Sequence, residues 1–184
     1  MPSKQWPLPA RDGMHDVESG TASRPSLLVV DDERSNLAVL TITLRNEGYD
    51  VASSSNGADA LAKAFASPPD LILLDILMPG MDGFQVLGEL RSHPETSRIP
   101  VIFLSGMEDL SSKLRGFSLG AVDYVTKPFH MEELRARVRI HLQLALSRRA
   151  VVEEQSRRLA SLAEAQRQLL RRPEEIPNAR FSIH

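Results

Sequence analysis

Three aspartates, one serine and one lysine carry the chemistry this sequence offers. Asp31 and Asp32 follow the apolar run 27–30, Asp75 follows 71–74, Ser105 follows a run that ends at Leu104, and Lys127 comes two residues after Val125. Carboxylates gathered in one place repel each other. Two of them about 4 Å apart cost roughly 4 kcal/mol at an effective dielectric near 20. Such a cluster needs a shifted pKa or a divalent cation, and an all-oxygen donor set without His or Cys favours Mg2+ or Mn2+ over zinc. Singly, each residue has an ordinary explanation. Asp32 or Asp70 would serve as a helix cap, Ser105 as a turn residue and Lys127 as a solvated charge. Their recurrence at successive strand ends points to a site.

These positions converge only if the chain brings them to one edge. From Ser26 onward, short apolar runs alternate with helical stretches. The runs 27–30, 49–53, 71–74, 99–104 and 121–125 read as strands. Between them, a helical pattern through Leu37, Leu40, Ile42 and Leu44 stops at Gly48, and further helices fit 58–66, 83–92 and 110–118. Alternation of this kind predicts an α/β fold, a five-stranded parallel sheet covered on both faces. In the doubly wound order 2-1-3-4-5, the five polar residues would meet at the carboxyl edge, where such sheets place their chemistry.

Composition narrows the classes. The 184 residues contain no cysteine, which excludes a disulfide-stapled scaffold and a thiolate site. No apolar run could span a bilayer and no secretory pattern opens the chain, so a cytoplasmic location is expected. Residues 25–131 hold 14 acidic against 8 basic residues, whereas 132–172 hold 10 Arg against 5 Glu. An acidic globule is followed by a basic helix. Residues 1–25 read as a disordered leader and 171–184 as a polar tail.

The pieces V-V-D-D-E at 29–33, D-I-L-M-P-G-M-D-G at 75–83 and D-Y-V-T-K-P-F at 123–129 resemble the receiver domain of bacterial two-component response regulators. The likeness covers 26–141 and extends to the intervals, 43 residues from Asp32 to Asp75, 30 to Ser105 and 22 more to Lys127. It implies a flavodoxin-like fold. It also implies that Asp75 accepts a phosphoryl group from the phosphohistidine of a histidine kinase or phosphotransfer protein. Asp31, Asp32, Asp75 and the backbone carbonyl of Leu77 would hold Mg2+, with Asp31 acting through water. Lys127 would pair with a phosphoryl oxygen, and the Lys127–Pro128 bond is a candidate cis peptide. Ser105 and Tyr124 would form the switch that reshapes the face of the fourth helix, fifth strand and fifth helix. The ordinary alternative for Tyr124 is a ring at the sheet edge with its hydroxyl in water. Leu77 and Met107, both apolar, flank the path of attacking water in this family, which implies slow self-dephosphorylation. A signalling switch of this kind modifies its own aspartate and is not classed as an enzyme. An aspartate-nucleophile phosphatase would want an acid at position 77, and a pseudo-receiver would lack the acid pair or the lysine.

From Met131 to about residue 170 no Gly or Pro interrupts the chain, and Pro173 supplies a stop. One heptad frame places Val138, Ala145, Val152, Leu159 and Gln166 at one seam position, with Leu134, His141, Arg148, Gln155, Leu162 and Leu169 at the other. This predicts a dimerising coiled coil over 142–170, continuing the fifth helix, with His141 a seam or packing residue rather than a ligand or phosphodonor. Nucleic-acid binding is disfavoured, because glutamates interrupt the arginines and no base-reading cluster accompanies them. The stretch A-R-V-R-I-H-L at 136–142 resembles receivers that feed a longer coiled coil into a nucleotide cyclase, phosphodiesterase or histidine kinase. The chain is either the input part of such a regulator or has the helix as its output.

Overall fold

The computed structural model describes residues 24–106 and 110–170. The leader to residue 23, Met107 and the tail from residue 171 lie outside the described residues. The strands are β1 (Ser26–Val30), β2 (Asp50–Ser54), β3 (Leu71–Asp75), β4 (Val101–Ser105) and β5 (Asp123–Thr126). They alternate with α1 (Arg34–Asn46), α2 (Gly57–Ala66), α3 (Gly83–Ser92), α4 (Leu110–Ser118) and α5 (Met131–Leu170). All pairings are parallel and the order is β2-β1-β3-β4-β5. This is the doubly wound, flavodoxin-like arrangement expected from the alternation.

The apolar runs mislead at two strand starts. β4 begins after Pro100, which has no N–H for the ladder and contributes only its carbonyl, bonded by Ile72 N at 2.9 Å. β5 begins after Val122, because the preceding Ala121 N closes α4 by bonding Gly116 O at 3.0 Å. Both differences arise from backbone bonding that hydrophobicity does not report.

Alternate residues of each strand enter opposite cores. Leu28, Ile72, Phe103 and Tyr124 pack with Ala60 of α2 and Leu87 of α3. Leu27, Leu73, Leu104 and Val125 pack with Leu40 and Leu44 of α1 and with Leu134, Val138 and Leu142 of α5. Helix α1 thus uses the i, i+4 pair Leu40/Leu44 as its buried stripe, while Ile42 faces solvent.

Helix α5 changes character along its length. Leu134 and Val138, read as seam positions, are wholly buried against the sheet. His141 Nε2 lies 3.0 Å from Asp123 Oδ2 on β5. Leu134 and Val138 are committed to the receiver core and cannot face a second helix, whereas His141 is a packing residue turned toward Asp123. Packing against the sheet continues to Leu142, and every residue from Leu146 to Leu169 is exposed. The exposed portion carries i, i+4 pairs, Arg149 with Glu153 at 3.1 Å and Glu154 with Arg158 at 2.9 Å, and Arg149 Nη1 also stands 3.5 Å from Asp70 Oδ1. Each i, i+4 pair is worth only a few tenths of a kcal/mol, roughly 0.2–0.5. No helix among the described residues is long and apolar enough to cross a membrane.

Candidate functional site

Strand alternation selects what meets at the carboxyl edge. Asp31 continues the parity of Leu27 and Val29, Asp75 that of Leu71 and Leu73, and Lys127 that of Val125, so all three project on the α1/α5 side. Lys127 Nζ stands 2.7 Å from Asp31 Oδ2 and 2.7 Å from Asp75 Oδ2. Ser105 has the opposite parity, following Phe103 on the α4 side. It is buried at the end of β4, and its carbonyl accepts from Lys127 N at 2.7 Å. The Lys127–Pro128 peptide is cis.

Asp31 is 0% exposed and Asp75 4%. The Asp31 amide donates to Ser54 O at 3.1 Å, tying the end of β1 to β2. Its carboxylate accepts from Glu33 N at 2.9 Å and from Asn36 Nδ2 at 3.2 Å. Asp75 Oδ1 accepts from Leu77 N at 3.2 Å. Asp32 is exposed beside them. One carboxylate oxygen from each of Asp31, Asp32 and Asp75 lies within 4.8 Å of the others. A purely carboxylate donor set of this span fits a hard divalent cation.

The electrostatics are opposed rather than additive. Burial pushes the Asp75 carboxyl above its ordinary value, the Lys127 hydrogen bond and charge pull it down, and the Asp31 charge raises it again. Burial alone would lower Lys127, but hydrogen bonds to Asp31 and Asp75 outweigh it and hold the ammonium above its ordinary value. A protonated lysine therefore sits between two acids that need it.

Close packing below the site depends on Gly83, the first residue of α3. Its amide bonds Ile76 O at 2.9 Å, and a Cβ there would lie 2.9 Å from Ile76 Cα and collide with the Asp75 carbonyl. Asp82 then caps the helix reciprocally with Gln85, at 2.7 and 3.0 Å. Leu77 is 56% exposed next to the pocket. Among the described residues, no atom lies within 4 Å of where a Cβ on Gly106 would stand.

Tyr124 is not at the surface with its hydroxyl in water. Its ring is buried between Phe103 and Phe117, with centroids 5.2 Å away on each side. Its hydroxyl donates to Ser112 O at 3.0 Å.

Some supporting residues escaped the sequence reading. Asn36 orients Asp31 from the first turn of α1, and an amide three residues after D-D-E was the available signal. Asp123 was read only as part of a motif. It accepts from Tyr124 N at 2.8 Å, from Arg137 Nη1 at 2.7 and 2.8 Å, and stands 3.0 Å from His141 Nε2. No spacing rule links a strand carboxylate to two helix residues 14 and 18 positions later.

The model of the response regulator receiver domain family matches residues 27–139. The DNA-binding dual master transcriptional regulator RpaA of Synechocystis is 41% identical over 119 residues, covering 65% of this chain and 49% of RpaA. The response regulator PleD of Caulobacter vibrioides is 40% identical over 135 residues, covering 73% of this chain and 29% of PleD. The chain thus spans half or less of the length of these curated relatives. Among solved structures, the Vibrio cholerae chemotaxis protein CheY4 superposes with a TM-score of 0.62 at 31% identity, over 64% of this chain and 98% of its own. Fold, motif order and kinship agree, and the chain belongs to the response regulator receiver family of two-component systems.

Proposed function

We propose that Asp75 is the phosphoacceptor and that the phosphoryl donor is a histidine kinase or phosphotransfer protein. The observation that carries this reading is the Lys127 ammonium held 2.7 Å from Asp75 Oδ2 beside two further carboxylates. In the transfer, a carboxylate oxygen of Asp75 forms a bond to phosphorus as the P–N bond of a phosphohistidine breaks. The imidazole leaves and takes its proton from solvent. Lys127 is placed to follow the phosphoryl oxygens as a point charge, and the Ser105 hydroxyl to bond one of them. Asp31, Asp32, Asp75 and the Leu77 carbonyl would hold Mg2+ or Mn2+, which when bound neutralises charge on the phosphoryl oxygens. Asn36 and Glu33 N keep the Asp31 carboxylate aimed into the pocket.

The modified group is the protein's own, so the activity is that of a switch. Ser105 and Tyr124 are its moving parts, acting on the α4–β5–α5 face, and the output passes through α5. Residues 26–141 act as the receiver, and the segment beyond acts as a parallel dimer seam drawn from Val152, Leu159, Leu162 and Leu169. The exposed apolar Leu77 supports slow hydrolysis of the phosphorylated state, to be lengthened or shortened by substitution there. The partial coverage of RpaA and PleD supports a second reading, in which this receiver is the input of a longer regulator. The intact mass of the protein purified from its native host decides between them.

The test is incubation with Mg2+ and a small phosphoryl donor, read by intact mass. Wild type should gain one phosphoryl group and Asp75→Asn none. A label retained at another aspartate in Asp75→Asn rejects the assignment. A lifetime unchanged in Leu77→Asn rejects the hydrolysis reading alone.

A further inference from the structure

Helix α4 carries a notch, and Tyr124 fills it. Gly116 is buried in this nine-residue helix. A Cβ built on it would collide with the Tyr124 hydroxyl and stand 2.7 Å from Cζ and 3.0 Å from Phe103 Cε2. Carbon atoms in good contact lie about 3.5–4.0 Å apart, so small adjustments cannot admit a methyl group here. The obstructing ring is flanked by Phe103 and Phe117. Its hydroxyl is also tied to Ser112 O at 3.0 Å, the carbonyl one helical turn before Gly116. Glycine is a poor helix former, so its use in a short helix asks for a compensating gain. Gly88 in α3 offers the contrast, since a Cβ there would meet nothing within 4 Å.

We infer that Gly116 is the positioning residue for Tyr124, and that the missing side chain at 116 is what allows the tyrosine to lie inward. Strand β5 is the last in the sheet, so a ring expelled from the notch has the open edge to move into. A single methyl at 116 therefore turns the ring outward. The packing stands on contacts alone. Its consequence for signalling rests on the proposed switch role of Tyr124, because a receiver that cannot hold the ring inward loses that state from its equilibrium.

The experiment uses the full chain labelled with 3-fluorotyrosine. Only Tyr49 and Tyr124 report, and Tyr124→Phe assigns them. In Gly116→Ala, the Tyr124 fluorine signal should move to a solvent-exposed position and relax several-fold faster with a soluble paramagnetic probe. Tyr49 should stay unchanged, as should both signals in Gly88→Ala. A Tyr124 signal as protected in Gly116→Ala as in wild type overturns the inference. If Gly116→Ala folds poorly, the thermal midpoint decides. The substitution should lower it with Tyr124 present and raise it on a Tyr124→Ala background, and equal losses in both overturn the inference. Titration with beryllofluoride and Mg2+ separates the two readings. Weaker binding in Gly116→Ala supports both, whereas an expelled ring with unchanged binding supports the notch and rejects the switch role of Tyr124.

Discussion

Lys127 and Asp75 meet at 2.7 Å although they stand 52 positions apart in the chain. The contact joins the ends of β5 and β3, which are not neighbours in the sheet, across the end of β4. It exists because both residues share the side-chain parity of the α1/α5 core. A shift of one residue in either strand would send one of them to the opposite face.

Asp75→Asn should raise stability in metal-free buffer at neutral pH. Burial holds the Asp75 carboxyl above its ordinary value of 3.8, so the folded state binds that proton more tightly than the unfolded chain. The stability this group contributes is complete below 3.8 and is lost as pH rises through the folded value. At neutral pH the ionised carboxylate therefore opposes folding. Thermal denaturation should show a gain of a few degrees, on the order of 1 kcal/mol. The gain should shrink in mildly acidic buffer, and a lower midpoint in Asp75→Asn at neutral pH would contradict the electrostatic account.

Lys127→Met should do the reverse, leaving Asp31 and Asp75 facing each other without a cation. Losing one partner of a fully buried pair costs about 3–5 kcal/mol. Lys127 keeps 21% of its side chain in solvent, so a smaller loss, about 1–3 kcal/mol, is expected. Chemical denaturation measures it. Adding Asp31→Asn should recover part of the loss, and strictly additive effects would mean that the three charges do not interact.

Mg2+ should raise the thermal midpoint, and a chelator should reverse the rise. At a concentration about 100-fold above its dissociation constant, an ion that binds only the folded state adds about 2.7 kcal/mol. Asp32 is the informative position, because it is exposed and contributes little to the fold. Asp32→Asn should keep the midpoint of the metal-free protein and lose most of the Mg2+ response. A full response in that variant would remove Asp32 from the donor set.

Asp123→Asn should loosen α5 from the sheet. Burial works against the Asp123 charge, but Arg137, His141 and Tyr124 N overcome it and hold the carboxyl below 3.8. The resulting stabilisation is present above 3.8 and fades as pH falls through the lower folded value. The loss on substitution should be about 1–3 kcal/mol at neutral pH and vanish in strong acid. Hydrogen exchange of the α5 amides at 131–142 locates the effect.

Leu159→Glu and Leu162→Glu should abolish the proposed dimerisation while leaving receiver stability unchanged, since both side chains are about two-thirds exposed and touch no core. Light scattering with and without beryllofluoride reads the mass. Val138→Glu belongs to a different class. That side chain is wholly buried against the sheet, and the substitution should unfold the receiver rather than separate its copies.

The elements were largely legible in the sequence because parallel strands buried on both faces read as unbroken apolar runs, and α3, with the Asp82 cap before it and Pro94 just beyond it, covers the stretch read as helical. The acidic site was legible too, since its residues stand at strand ends and their intervals carry the family likeness. The sequence determined the periodicities, the strand-end residue types and the uninterrupted length of α5. Only the tertiary structure decided which side of the sheet each group faces, and therefore that Lys127 joins the two acids while Ser105 lies on the α4 side. It also decided that Leu134 and Val138 belong to the core rather than the seam, that Asp123 clamps α5, and that Gly116 makes room for Tyr124. The division has one physical cause. Periodicity and turn chemistry act between residues near in sequence, whereas those contacts depend on strand register and helix packing, which join residues tens of positions apart.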